Sequence, residues 1–425
     1  MIKANDPKIK SWIEIPDESD FSIQNIPFGV VELRNGKTHC ATRLGNYVID
    51  LYALASLGYL DDCGVDDLRV FKQATLNDFI ACGKLAWQGI RNQISNLFEI
   101  NNPVIRDNIS EKEEIIHHII EVKEKMPVTV GDYTDFYSSI EHATNVGIMF
   151  RDPERALLPN WKHIPVGYHG RSSSIVVSGT DIHRPKGQTK ADDAKVPSFG
   201  PSRLFDFELE MAFITGKETQ LGQHVKVEDA EDHIFGMVLF NDLSARDIQK
   251  WEYVPLGPFL GKNFGSVISP WIVTLDALEP FRIDSPKQDP EVLPYLKSKG
   301  KKSFDINLEV YLQPENGDEN LLCQSNHKYL YWNMSQQLAH QTVNGCNIRV
   351  GDMYGSGTIS GPTPDSYGSM LELSWKGTKP IKLSDGSERK FAQDNDTMIM
   401  KAFSEKNGLR IGFGECKTKV LPVLD

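Results

Sequence analysis

The chain has 425 residues, with 46 lysines and arginines against 58 aspartates and glutamates, a net charge of −12 spread along its length. That balance argues against nucleic acid or an anionic membrane as partner, and no apolar run approaches the roughly 18 residues that would span a bilayer. The length allows a large core and predicts two domains.

Cys40, Cys63, Cys82, Cys323, Cys346 and Cys416 are far apart and form no Cys-x-x-Cys pair. Neither a disulfide framework nor a zinc site is expected, and residues 1–6 lack a signal-peptide core. A cytoplasmic location is the simplest reading.

Residues 1–120 read as a small domain. Residues 28–33 and 46–51 are expected as short strands, separated by turns at Asn35-Gly36 and Gly45-Asn46. One helix is expected over about 76–98, with Trp87, Ile90, Ile94 and Leu97 at spacings of three and four. A second is expected from Ser110, with Glu113 completing a capping box, to just before Pro127. His117 and His118 fall inside it with no acid or cysteine to complete a ligand set, and read as surface or interface residues.

After Pro127 short β-like runs alternate with Gly/Pro turns, as at 174–178, 271–275 and 304–308. The domain junction is expected near 115–130, giving units of 1–120 and 121–425. Segment 131–145 is polar yet rich in aromatics, and reads as a binding loop that offers Asp135 as a metal ligand and His142 as a base. Arg151 follows, and then Tyr168, set between Gly167 and Gly170 as suits a substrate contact.

The densest chemistry begins at Phe207-Glu208-Leu209-Glu210. On a strand, Glu208 and Glu210 share one face, and a divalent cation or a shared proton would relieve their repulsion. Residues 234–240 form a near-continuous apolar run, expected as a strand buried on both faces, and Asp242 sits where it ends. Ser244 to Asp247 resembles a capping box opening a helix, with Arg246 and Gln249 on one face. Lys262 then stands between Gly261 and Gly265.

The glycine-rich segment 355–361 has no Gly-Lys-Ser/Thr after it, which excludes a nucleotide loop. Residues 369–375 alternate as a strand. Glu372 is flanked there by apolar residues, and if buried it needs a partner.

Segments 19–21, 26–30, 132–150, 158–161, 165–171, 208–213, 241–249, 251–262, 356–361 and 368–377 together resemble the fumarylacetoacetase family of carbon–carbon hydrolases, nearly end to end. The resemblance implies a mainly β (α+β) fold: a small N-terminal SH3-like β-barrel, a larger C-terminal mixed β-roll, and a homodimer. It makes Asp135, Glu208, Glu210 and Asp242 ligands of Mg²⁺ or Ca²⁺, His142 the general base, and Glu372 its orienting carboxylate. Arg246, Gln249 and Lys262 become oxyanion stabilisers. Tyr137, Arg151, Tyr168, Gln249, Tyr253 and Thr358 become substrate contacts. A second ion is associated with the 262–266 stretch, where Ser266 replaces the family's usual threonine. The implied reaction is hydrolysis of a diketo diacid, 4-fumarylacetoacetate, to fumarate and acetoacetate. The alternative is a hydrolase, decarboxylase or isomerase of an acylpyruvate-like diketo acid.

Overall fold

The computed structural model describes residues 2–425. The strands Phe28–Glu32, Thr38–Leu44 and Tyr47–Asp50 form an antiparallel meander. Ile116–His118 joins it at one edge and Lys123–Lys125 at the other. The helix Lys84–Leu97 buries Trp87, Ile90, Ile94 and Leu97, and its apolar face shares a cluster with Phe28 and Val30 of the sheet.

Two helical expectations in this part are corrected. The single helix over 76–98 is two, Asn77–Ala81 and Lys84–Leu97, because Gly83 takes φ +87°, a left-handed conformation that interrupts helical bonding. The helix expected from Ser110 runs only over Ile109–Ile115, capped by the Asn108 side chain rather than by a Ser110–Glu113 box. Of the isoleucines after it, Ile116 belongs to a strand and pairs with Ile49, with His117 and His118 opposite Val48 and Tyr47, while Ile119 and Ile120 lie in a 3-10 turn. Period alone misread this stretch because a β-branched run suits a sheet edge as well as a helix stripe.

The rest of the chain is organised around a mixed sheet with the strand order Gly167–Gly170, Tyr133–Phe136, Met353–Gly355, Leu209–Thr215, Ile234–Asn241, Ser266–Ile268, Ile175–Val177. Val273–Thr274 adds to Ile234–Asn241. Leu209–Thr215 and Ile234–Asn241 are buried along their whole length, as a strand covered on both faces must be. A second sheet, in the order Asn320–Asn326, Asn307–Gln313, Thr397–Lys406, Leu409–Leu421, Ile182–His183, shares one apolar cluster with the first through Phe213, Met237, Leu239, Val310, Met400 and Phe413. The fold is therefore sheet-rich α+β. The expected run at 271–275 is shorter than read, since Leu275 already opens a helix capped by Thr274. No helix among the described residues is long and apolar enough to cross a membrane.

Candidate active site

Segment 131–145 is not a loop. Tyr133–Phe136 is a fully buried strand, followed by the helix Ile140–Phe150, whose first turn is capped by Ser139 accepting from the His142 N–H. Its polar composition reflects where it points. Asp135 lies opposite Gly355, which lies opposite Ala212 on the next strand. Glu210 faces Phe240 across the following pair, and Asp242 comes directly after Asn241.

This register gathers Asp135, Glu208, Glu210 and Asp242, each offering a carboxylate oxygen within 4.8 Å of the others, all buried. Gly355 leaves the room: a Cβ there would stand 2.8 Å from Asp135 Oδ1 and 3.1 Å from Glu210 Oε2.

Burial, and then the neighbouring carboxylates, push Asp135 and Glu210 well above the usual carboxylate range. Burial also raises Asp242, with Lys262 offsetting part of it. Glu208 differs: burial acts upward, but Lys262, Arg246 and His142 outweigh it and hold the carboxyl below its ordinary range. Lys262 Nζ contacts Glu208 and lies 2.6 Å from Asp242 Oδ2, and these acids keep the ammonium charged against the burial that opposes it. Ser266 Oγ donates to Asp242 Oδ1 at 2.8 Å, and the Tyr168 hydroxyl to Oδ2 at 3.3 Å.

One lysine does not satisfy four acids. Asp135 Oδ1 and Glu210 Oε1 are buried without any partner, an arrangement that costs free energy in a dry site. Four hard oxygen donors with no cysteine or histidine among them suit a divalent cation, and the two orphaned oxygens mark where it would sit.

The second group is built on His142. Its Nδ1 lies 2.7 Å from Glu372 Oε2. Glu372 is not on a strand, as its alternating neighbours implied, but on the one-turn helix Met370–Leu373, with Ser369 as cap. Asn145, Ser360 and Ser369 also donate to its carboxylate. Burial acts to raise Glu372, but His142 and these donors hold it below its ordinary range. An ionised Glu372 can only accept, so His142 Nδ1 carries the hydrogen and Nε2 is left to take a proton. The Tyr137 ring stands edge-on to the imidazole, 5.2 Å between centroids.

Arg246 opens the helix Arg246–Glu252. Its Nε donates to Asp206 Oδ2 at 2.8 Å, Nη2 lies 2.8 Å from Glu208 Oε1, and Nη1 donates to Gln249 Oε1 at 3.3 Å. The capping box read at 244–247 does not form. Ser244–Ala245 pairs with Phe205–Asp206 as a short strand, and Asp247 turns instead to Ser202 Oγ and the Arg203 N–H.

The residues proposed to contact substrate fall in two groups. Thr358 is buried beside Gly357, whose N–H donates to Glu210 Oε2, and Tyr168 lines a cavity of about 230 Å³ with Asp242, Phe259 and Lys262. Tyr253 is half exposed in a segment that also exposes Val254, Leu256 and Phe259, and the exposed Arg151 spends two of its nitrogens on the Ala156 carbonyl.

Sequence reading missed Asp206, Asn145, Ser360 and Ser369. Asp206 had a signal, since it extends the Glu-x-Glu alternation one step back. Asn145 lies three residues after His142 on the same helix. The two serines had none.

A family model described as "Fumarylacetoacetate (FAA) hydrolase C-terminal" matches residues 133–421, and one described as "Fumarylacetoacetase N-terminal" matches 24–127. The chain is 54% identical over 420 residues to the fumarylacetoacetase of Dictyostelium discoideum, covering 97% of this chain and 98% of that one. It is 51% identical over 416 residues to that of Homo sapiens, covering 97% and 99%. Among solved structures, a fumarylacetoacetate hydrolase from Exiguobacterium antarcticum has the same fold at a TM-score of 0.52 and 16% identity, covering 93% of this chain and 99% of that one. A maleylpyruvate hydrolase from Sphingobium aligns at 0.50 and 13%, covering 93% and 100%.

Proposed function

The chain belongs to the fumarylacetoacetase family, and from that membership and the site we propose that it hydrolyses the carbon–carbon bond of 4-fumarylacetoacetate to fumarate and acetoacetate. The observation that carries the reading is the buried His142–Glu372 pair, Nδ1 to Oε2 at 2.7 Å.

His142 Nε2 takes a proton from water, and the resulting hydroxide adds to the carbonyl carbon next to the fumaroyl double bond. Glu372 holds the ring and stabilises the imidazolium. Arg246, Gln249 and Lys262 present donors and positive charge to the oxyanion, where one fixed donor is worth about 3–4 kcal/mol. The carbon–carbon bond then breaks, its electron pair leaving with acetoacetate as an enolate that recovers the proton from His142. Asp135, Glu208, Glu210 and Asp242 would hold Mg²⁺ or Ca²⁺, which when bound polarises the diketone oxygens as a Lewis acid. A second ion near Lys262 and Ser266 is part of the same reading.

Lys262 serves the diketone, Gln249 is a further substrate contact, and Arg151 with Tyr137, Tyr168, Tyr253 and Thr358 supplies a guanidinium and hydroxyls to the terminal carboxylates. The proposal extends to a homodimer, a cytoplasmic location, and a division into an SH3-like barrel over 1–120 and a catalytic β-roll over 121–425.

The test is to assay fumarylacetoacetate and an acylpyruvate with one preparation, with and without chelator, and again with Arg151→Ala. Preference for fumarylacetoacetate that depends on the cation, and drops about 10- to 150-fold in kcat/KM without Arg151, supports the proposal. Equal or better turnover of the acylpyruvate moves the assignment to that class.

A further inference from the structure

Asp206 holds none of the roles above, yet two of them meet at its carboxylate. It is fully buried, on the strand Phe205–Asp206 that pairs with Ser244–Ala245 immediately before Arg246. Oδ2 accepts from Arg246 Nε at 2.8 Å and from the Leu371 N–H at 3.1 Å, and Oδ1 accepts from the Met370 N–H at 2.7 Å. Met370 and Leu371 open the one-turn helix that carries Glu372.

A helix of one turn has almost no stability of its own, and its first N–H groups have no partner inside it. Its placement is therefore set by what caps it. Ser369 Oγ accepts from the Glu372 N–H at 3.3 Å, and Asp206 takes the two N–H groups before that. Charge balance alone does not explain this arrangement. Glu208 already lies against the Arg246 guanidinium at 2.8 Å, and two of the three bonds to Asp206 come from neutral backbone.

We infer that Asp206 is a positioning residue which locks Arg246 to the Glu372-bearing turn, so that the oxyanion donor and the carboxylate behind the general base are preorganised as one unit. An asparagine here keeps the shape but must turn an NH₂ toward either Arg246 Nε or a backbone N–H, donor against donor. The guanidinium and the turn are then free to separate, and the error passes through Glu372 to the His142 imidazole. The activity arm of this inference rests on the proposed function; the structural arm does not.

The test compares Asp206→Asn and Asp206→Glu with the parent in excess MgCl₂. Three quantities are read: kcat and KM on fumarylacetoacetate, the melting temperature, and the low-field proton resonance of His142 Nδ1–H, assigned by its loss in His142→Ala. Both variants are expected to lose about 10- to 100-fold in kcat, as removal of an orienting partner does, with KM moving less than about threefold. The low-field line is expected to shift or broaden. A role confined to stability would lower the melting temperature but leave the kcat of the folded protein and the line in place; that result overturns the inference. If Asp206→Asn does not fold, Asp206→Glu, which keeps the charge and displaces it by one methylene, decides on the same measurements. Failure of the parent to turn over fumarylacetoacetate would count against the proposed function, and the resonance would still decide the role of Asp206.

Discussion

His142 Nδ1 and Glu372 Oε2 are 2.7 Å apart in space and 230 positions apart in sequence. Four residues donate to the Glu372 carboxylate, which fixes its orientation and its charge. Glu372→Gln should therefore lower kcat by about 10²- to 10⁴-fold, the range general-base catalysis supplies, while KM changes little. His142→Ala should cost at least as much. Steady-state kinetics on purified variants checks both; near-parental kcat in His142→Ala would remove it as the base.

The orphaned oxygens of Asp135 and Glu210 make the acid cluster a stability switch. Protein stripped by chelator should gain melting temperature on adding MgCl₂ or CaCl₂, the ion contributing about 2.7 kcal/mol of stability at a hundred times Kd. Glu210→Gln, stripped in the same way, should melt no lower than stripped parent, because a carboxyl that resists ionisation is replaced by a neutral amide. It should also lose most of the response to added cation. Thermal melts with and without the ion decide it; a parent indifferent to both ions would refute the cation site.

Arg246→Lys tests whether the fork of the guanidinium matters or only its charge. An ammonium cannot reach Asp206, Glu208 and Gln249 from one atom in the geometry Arg246 uses. The expected loss in kcat/KM is about 3 kcal/mol, near 100-fold. A lysine variant within a few-fold of the parent would show that charge suffices.

His327 sets an acid limit on the fold, away from the candidate site. It is buried in the short helix His327–Tyr329, and burial lowers its imidazole from 6.5 to about 4, with the Phe304 backbone carbonyl, which accepts from the ring, opposing. As pH falls, the unfolded chain takes this proton near 6.5 and the folded protein does not until about 4. The unfolded state thus binds more protons in that window, and stability falls as pH drops through it, by roughly 3 kcal/mol in all. His327→Gln should flatten this part of the stability profile, as measured by denaturant melts from about pH 7 to pH 4.5. An unchanged slope would show that other groups govern acid unfolding.

The sequence disclosed the parts of the site that obey a period. Glu208 and Glu210 alternate, and the strand Ile234–Asn241 could be read from apolar side chains alone, which placed Asp242 at its end. It failed where distant groups decide local structure. Residues 369–375 alternate like a strand, but Ser369 and the remote Asp206 cap them into a helical turn. Segment 131–145 looked too polar for a core strand because its carboxylate faces an internal site instead of solvent. The capping box at 244–247 has the right letters, but Asp247 is claimed by Ser202 and Arg203.

The strand Met353–Gly355 lies between Tyr133–Phe136 and Leu209–Thr215 and is the neighbour they share in the sheet. During synthesis, Asp135, Glu208, Glu210 and Asp242 have all left the ribosome long before residues 353–355 follow. Until that strand arrives, the pieces bearing Asp135 and Glu210 have no common partner to hold them side by side. The four carboxyls are brought face to face only once the chain has been made through residue 355. A nascent chain that stalls between residues 242 and 353 carries every acid of the cluster but lacks the strand that sets Asp135 beside Glu210.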